Sequence, residues 1–297
     1  MYPRRYLLAL GLPGLIWVAL FVTIALYTLL AIAFGHLDPF LFIPIPEWNP
    51  LHWTTSSVTQ VWGSLKPFSG TDWVVFARTC AYIAISLAAC LLIGYPVAYF
   101  TAVHAKRWRG LILALLVAPL LVSYMLRMLA WVGLLSPGGW VNAVLVPLHI
   151  VPAGFDWLSG RPVTVVFGLI YGWIPYFIIP VYASLARFDT RYLEASRDLG
   201  AGTVATCLHV TLPMSKQGIL AGTVLIALPM FGDFFTNGLL SGVSSTAMVG
   251  TVINTYAQSE TGQALAAAVA VWLTVFLAIL LLPYLRSSAR ATREVAR

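Results

Sequence analysis

The run YLLALGLPGLIWVALFVTIALYTLLAIAFGHL, from Tyr6 to Leu37, holds no formally charged side chain, and Arg4 and Arg5 stand directly before it. Crossing a bilayer as one helix takes about 20 consecutive apolar residues, so this run spans with residues to spare. The pattern predicts a first membrane helix over residues 7 to 34. Ala31-Ile32-Ala33 has the small-residue pattern of a signal cleavage site. The apolar stretch nevertheless far exceeds the roughly 7 to 15 residues of a signal core, so the expectation is an uncleaved span.

Working outward, further apolar runs fall at about residues 75 to 103, 110 to 135, 163 to 186, 217 to 240 and 262 to 285, which predicts six spans in an all-α integral membrane protein. Composition agrees: 60% of the 297 residues are hydrophobic and 9% charged, against about 25% charged in a soluble domain. That leaves no room for a separate folded catalytic domain. Residues 136 to 162 are also apolar, but Pro137, Gly138, Gly139, Pro147, Pro152 and Gly154 interrupt them too often for a regular span. They read as a folded outer loop.

With six spans the two termini share a side, and basic residues mark it as cytoplasmic. On that side fall Arg4, Arg5, Lys106, Arg107, Arg109, Arg187, Arg191, Arg197, Lys216, Arg286, Arg290, Arg293 and Arg297, 13 of the 17 Lys and Arg. Lys66 and Arg161 lie in the opposite loops, and Arg78 and Arg127 within or at the edge of spans. The net charge of +7 is thereby explained by topology and by contact with the anionic headgroups of the lipid bilayer, and no nucleic acid is expected as a partner. Cys80, Cys90 and Cys207 have no paired spacing, and no two of the five histidines stand three or four residues apart, so no metal site is expected. The outer loop from 35 to 73 carries Trp48, Trp53, Trp62 and Trp73, read as headgroup anchors in preference to a ligand cage, since nothing pairs the rings in sequence.

The densest charge cluster lies between spans four and five, where Arg187-Phe-Asp-Thr-Arg-Tyr-Leu-Glu-Ala-Ser-Arg-Asp-Leu-Gly-Ala-Gly202 runs on to Thr211-Leu212-Pro213. Thr190 is placed to cap a helix containing Glu194, Arg197 and Asp198, and Gly200 to terminate it. A second short helix then leads to Leu212-Pro213. Leu193, Ala195 and Leu199 stand among the charges, so the hairpin offers a surface to a soluble partner.

This loop resembles the signature of ABC importer permeases: E-A-A, three residues, Gly, nine residues, then I-x-L-P. The chain has Glu194-Ala195-Ser196, three residues, Gly200, nine residues and Val210-Thr211-Leu212-Pro213, departing at Ser for Ala and Val for Ile. Gly94-Tyr95-Pro96-Val97-Ala98-Tyr99, Leu126-Arg127 and Asp198-Leu199-Gly200 look like the spermidine/putrescine-type branch. The resemblance covers about residues 75 to 285. It implies a six-span type I permease of a bacterial inner membrane, with a coupling helix (Glu194, Ala195, Ser196, Arg197, Asp198, Gly200, Leu212, Pro213) that docks into an ATPase cleft. It further implies a second permease subunit, two ATP-binding subunits and an extracytoplasmic solute-binding protein. The implied organisation is an N-terminal span and outer loop (1-73), a five-span core (74-286) with the coupling loop at 187-216, and a cytoplasmic basic tail (287-297). Neither Lys106 nor Lys216 follows a Gly-x-x-x-x-Gly, so ATP and Mg belong to a partner ATPase and this chain has no catalytic residues and no cofactor of its own.

Span five carries Pro229, Gly232 and Asp233, a sequence that implies a helix break with Pro229 near mid-bilayer. Such breaks commonly line a substrate cavity. Asp233 either attracts an ammonium group, with aromatic faces from Tyr171, Trp173 or Tyr176, or caps the broken helix, or pairs with Arg127. Arg127 is read as an anion-binding group, a buried counterion or a snorkelling side chain; Tyr124 and Trp131 flank it. A polyamine or related small organic cation is the leading expectation for the solute, with opines, thiamine or iron as neighbours, and Arg127 weakens the polyamine reading. A gradient-driven transporter or channel would place several ionisable residues near mid-bilayer, and a membrane enzyme would cluster His, Asp or Glu on one face; neither pattern is present in the sequence.

Overall fold

The computed structural model describes residues 4–38, 43–66, 70–187, 189 and 191–295. Its helices are α1 (Arg4–Ala33), α2 (Ser56–Ser64), α3 (Thr71–Tyr99), α4 (Arg109–Val117), α5 (Tyr124–Leu135), α6 (Trp140–Leu145), α7 (Pro162–Leu185), α8 (Arg191–Asp198), α9 (Thr203–Thr206), α10 (Leu212–Met214), α11 (Lys216–Phe231), α12 (Phe235–Leu240), α13 (Val249–Gln258) and α14 (Gln263–Val295). A two-residue antiparallel pair, β1 (His36–Leu37) with β2 (Pro44–Ile45), is the one strand pairing among the described residues.

Among the described residues four helical stretches are long and apolar enough to cross a membrane unbroken: Gly11–Ala33, Asp72–His104, Pro162–Leu185 and Gln263–Arg286. They correspond to the expected first, second, fourth and sixth spans. The expected third and fifth are not straight. Arg109–Leu121 and Tyr124–Leu135 meet at 92°, and Thr203–Met214 and Lys216–Phe231 at 69°, so the count is four, or six if each bent pair is one crossing. At the first bend Pro119 begins a tight turn, after which Val122 and Ser123 are extended (ψ 136 and 139°). At the second, Ser215 leaves helical geometry (ψ 4°). The run 217 to 240, expected as one helix, ends at Phe231 and resumes at Phe235; Pro229 lacks an N–H, and Gly232 bonds back to its carbonyl.

The chain forms two compact units, one of residues 1–73 with 252–278 and one of residues 74–251 with 279–297. In the first, α1 leaves Leu12, Leu15, Ile16, Trp17 and Phe21 exposed, as a lipid-facing helix does. The loop beyond it folds back: Glu47 N–H donates to the Ala31 carbonyl (3.0 Å) and Thr54 N–H to that of Phe34 (2.8 Å). Rings unpaired in sequence meet here. Phe34 stacks on Trp53 at 5.0 Å, and the Tyr27 hydroxyl donates to the Trp48 carbonyl.

In the second unit α7 and α11 pack most extensively, and small residues make this possible. A Cβ on Gly222 would lie 3.0 Å from Phe177, and one on Gly94 of α3 would lie 2.9 Å from it. Phe177 is fully buried between them. Gly218 likewise admits Ser184 and the Pro180 carbonyl. We expect Gly222→Val to destabilise the chain by about 1–3 kcal/mol through overpacking, read as a lowered thermal midpoint in detergent. Gly110→Ala, where nothing lies within 4 Å of the added carbon, should leave it unmoved.

Candidate coupling hairpin and helix-break site

The hairpin between α7 and α11 is built by side chains that satisfy one another. The Asp189 carboxylate accepts from Arg191 N–H (3.0 Å), meeting a first-turn donor of α8. The expected cap, Thr190, lies outside the described residues. At the other end Gly200 takes φ +81°, with Gly200 N–H donating to the Arg197 carbonyl (2.8 Å) and Ala201 N–H to that of Ser196 (3.0 Å). This paired closure requires a left-handed residue, for which glycine carries no Cβ penalty.

Leu193 and Ser196 are buried, while Tyr192, Glu194, Ala195, Arg197, Asp198 and Pro213 are exposed and Leu212 is half-buried. The Ser196 hydroxyl donates to the Leu193 carbonyl (2.9 Å) and lies 3.0 Å from the Thr206 hydroxyl on the return arm. The substitution of Ser in the motif is therefore a staple between the two arms. Among the described residues Glu194, Arg197 and Asp198 form no ion pair, and Leu199 is 88% exposed. The outward face thus combines unpaired charges with unburied apolar area. Of the three apolar residues expected on that face, Leu193 turns inward to hold the hairpin together. The return arm passes through a wide π-turn at Cys207–Thr211 to Ser215, whose hydroxyl donates to the Thr211 carbonyl (2.7 Å) and lies 3.2 Å from the Tyr95 hydroxyl.

The helix break collects the second group. Asp233 is buried and accepts from Thr236 N–H (3.0 Å), the Thr236 hydroxyl (2.6 Å) and the Tyr124 hydroxyl (2.5 Å). It therefore meets a free donor at the start of α12, as a capping carboxylate does. Gly250 lets the start of α13 approach the break, since a Cβ there would lie 2.6 Å from the Gly232 backbone. Below it Asn237, fully buried, donates to the Thr246 carbonyl (2.7 Å).

Arg127 is also buried, yet it does not reach Asp233. Its guanidinium sits over the Tyr124 ring (5.3 Å) and donates to the Gly172 carbonyl at 3.4 Å, leaving Nε without a partner. The ion pairs among the described residues are His36–Glu47 and Arg191–Asp189, so direct pairing of Arg127 with Asp233 is corrected: Tyr124 stands between, its ring toward the cation and its hydroxyl toward the carboxylate. Tyr124 comes this close because of Gly172, where a Cβ would lie 2.5 Å from its ring. Trp173 lies 5.4 Å from Tyr124 and 5.5 Å from Tyr176, forming a row of half-buried rings. Trp131 turns away from that row to meet Phe167 and Tyr171 edge-on. Pro229 is exposed on α11, and its carbonyl accepts from Gly232 N–H (3.1 Å).

Sequence reasoning missed Thr236, Asn237, the stapling bond of Ser196 and the close-contact glycines Gly172, Gly218, Gly222 and Gly250. The signal available was Gly168-x-x-x-Gly172 and Gly218-x-x-x-Gly222, small residues at one-turn spacing that mark close helix contacts. Among the described residues no group of three or more His, Cys, Asp or Glu is placed to hold a metal.

A family described as "Binding-protein-dependent transport system inner membrane component" matches residues 91–291. The spermidine/putrescine transport system permease protein PotB of Haemophilus influenzae is 32% identical over 287 residues, covering 94% of this chain and 93% of that protein. PotB of Escherichia coli is 32% identical over 211 residues, covering 71% and 76% respectively. Among solved structures, a bacterial alginate ABC transporter in complex with an alginate pentasaccharide-bound periplasmic protein aligns with a TM-score of 0.70 at 19% identity, over 97% of this chain and 96% of that one. The methionine transporter MetNI in an inward-facing form gives 0.51 at 16% identity, over 80% and 99%.

Removing the Tyr124 hydroxyl should cost about 1–2 kcal/mol, since it strips one donor from a buried carboxylate. We expect Tyr124→Phe to lower the unfolding midpoint of the detergent-solubilised protein by a few degrees.

Proposed function

Because the chain belongs to the binding-protein-dependent transport inner membrane components, we propose that it forms half of the translocation pathway for a small organic cation of the polyamine class, completed by a second permease. As a family member it is a multi-pass inner-membrane permease of an ATP-driven importer and not itself the ATPase. Such importers work with an ATPase and a binding protein.

The observation that carries the reading is the hairpin from Arg191 to Met214, with its buried hydroxyl staple and unpaired outward charges. We assign it as the coupling element, with Glu194, Ala195, Arg197, Asp198, Gly200, Leu212 and Pro213 set against a cleft of the ATPase and Ser196 holding their frame. In this arrangement ATP and Mg bind two partner subunits on the cytoplasmic side, where both termini also lie. Their closure pushes the hairpin and shifts the helices between inward- and outward-facing states. An extracytoplasmic binding protein delivers solute to the opposite face.

For the solute, support comes from the relatives, which are named for spermidine and putrescine, and from chemistry near the helix break. The rings of Trp173 and Tyr176 offer faces to an ammonium group. Asp233 lies behind Tyr124, which also meets Arg127, so the two buried charges partly offset each other there. We place Tyr124, Arg127, Trp131 and Pro229 around this pathway as framework and Trp173 and Tyr176 toward the solute, with the Asp233 charge acting from behind Tyr124.

Glu194→Lys and Gly200→Val should each weaken attachment of the ATPase and cut uptake at least tenfold while membrane insertion stays normal. Co-purification of the ATPase with the permease measures the first and labelled-solute uptake the second. Normal uptake in both variants defeats the coupling assignment. Asp233→Asn should raise the half-saturating spermidine concentration several-fold at an equal amount of protein. An unchanged half-saturation with less protein in the membrane would restrict Asp233 to capping.

A further inference from the structure

At the end of α5 and α7 opposite the hairpin lies a groove of about 320 Å³, walled by Trp131 and Leu135 of α5, Val141 and Leu145 of α6, and Val163 and Phe167 of α7. No polar atom opens onto it. An apolar lining of this kind gains from covering by an apolar ligand, which removes it from water. The groove is also held in shape by a polar frame set behind its wall. Asn142, buried, donates to the Phe155 carbonyl (2.7 Å) and the Pro137 carbonyl (3.1 Å), and accepts from the Trp157 indole N–H (2.9 Å). Thr164, equally buried, turns its hydroxyl away from the groove to the Trp157 carbonyl (2.7 Å). These bonds fix Trp157 as a wall and keep α6 and the 155–160 turn over the space, so the groove does not collapse.

A cation stands beside it, two residues before the wall residue Val163. Arg161 immediately precedes α7 and is exposed, and its guanidinium lies 4.0 Å over the Phe155 ring, which meets Trp157 edge-on at 4.8 Å. Its Nε donates to the Asp156 carbonyl (2.8 Å), while the Asp156 carboxylate accepts from Leu158 N–H (2.9 Å). Among the described residues no carboxylate pairs with Arg161. The backbone bond and the aromatic face orient the side chain and leave its charge uncompensated at the level where spans α5 and α7 end.

We propose that this groove is a site for one anionic phospholipid, its acyl chain lying between α5, α6 and α7 and its phosphodiester on Arg161. Of its walls, α7 is long and apolar enough to cross a membrane and α5 is one arm of a bent pair of the same apolar character, so the bilayer is the neighbour from which an occupant comes. An acyl chain matches the apolar lining, and an anionic headgroup matches the free guanidinium. The site is separate from the coupling hairpin and does not depend on the identity of the transported solute.

The test uses the intact importer complex, purified in mild detergent after exchange into phosphatidylglycerol or phosphatidylcholine, with retained lipid counted by native mass spectrometry. The wild type should keep one lipid per permease and favour phosphatidylglycerol by about fivefold, the factor one cationic side chain supplies at an anionic surface. Arg161→Gln should still keep a lipid but lose the headgroup preference. Val163→Trp, and independently Leu145→Trp from the facing wall, should fill the groove and retain none; two filling variants keep the result decisive if one folds poorly. Equal retention of the two lipids by the wild type, undiminished retention in folded filling variants, or a lipid held by the lone permease but absent from the assembled complex would overturn the proposal, the last by giving the groove to a neighbouring subunit.

Discussion

Water does not reach the hydrocarbon core of a bilayer, so every backbone group freed by a break in a membrane helix must find its partner within the protein. Asp233 answers that constraint where α11 gives way to α12. Its carboxylate accepts a backbone N–H and two hydroxyls, and those donors come from its own turn and from α5. The charge in turn requires company, and Tyr124 supplies it while carrying Arg127 on its ring face. Gly172 and Gly250 then follow as conditions of approach, because the tyrosine and the start of α13 reach the break only over bare backbone. A local defect in one helix thereby sets the packing of three neighbours.

The same logic explains what could be read from the sequence. Apolar runs announced the membrane segments because burial of about 20 residues is recorded in local composition. The hairpin was legible because its function depends on spacing along the chain, and Gly200 has a conformational reason to be glycine. The break at Pro229, Gly232 and Asp233 was likewise a local signal. The 92° bend was not read, since Pro119 and the residues around it keep their apolar character whether the helix turns or runs straight. Nor was the Tyr124–Asp233 bond, whose partners stand 109 residues apart. Hydropathy measures how much is buried, while pairing depends on which helices meet, and that information sits in the small residues between them.

The hairpin shows how a departure from a motif is absorbed. Where the family pattern has a second alanine, Ser196 brings a hydroxyl into a buried position, and Thr206 stands across from it to take the bond. A lone buried hydroxyl costs stability, whereas a matched pair is close to neutral or favourable. The exposed residues on the outward face take no part in this bond, so the frame beneath does not depend on them.

Ser215 sits at the elbow where the hairpin's return arm becomes α11, and its side chain reaches both the Thr211 carbonyl and the phenol of Tyr95 on α3. An elbow fastened on both sides acts as a pinned joint. Under the coupling role proposed above, a push on the return arm reaches α3 as well as α11, because the contact with Tyr95 ties the turn to a second helix.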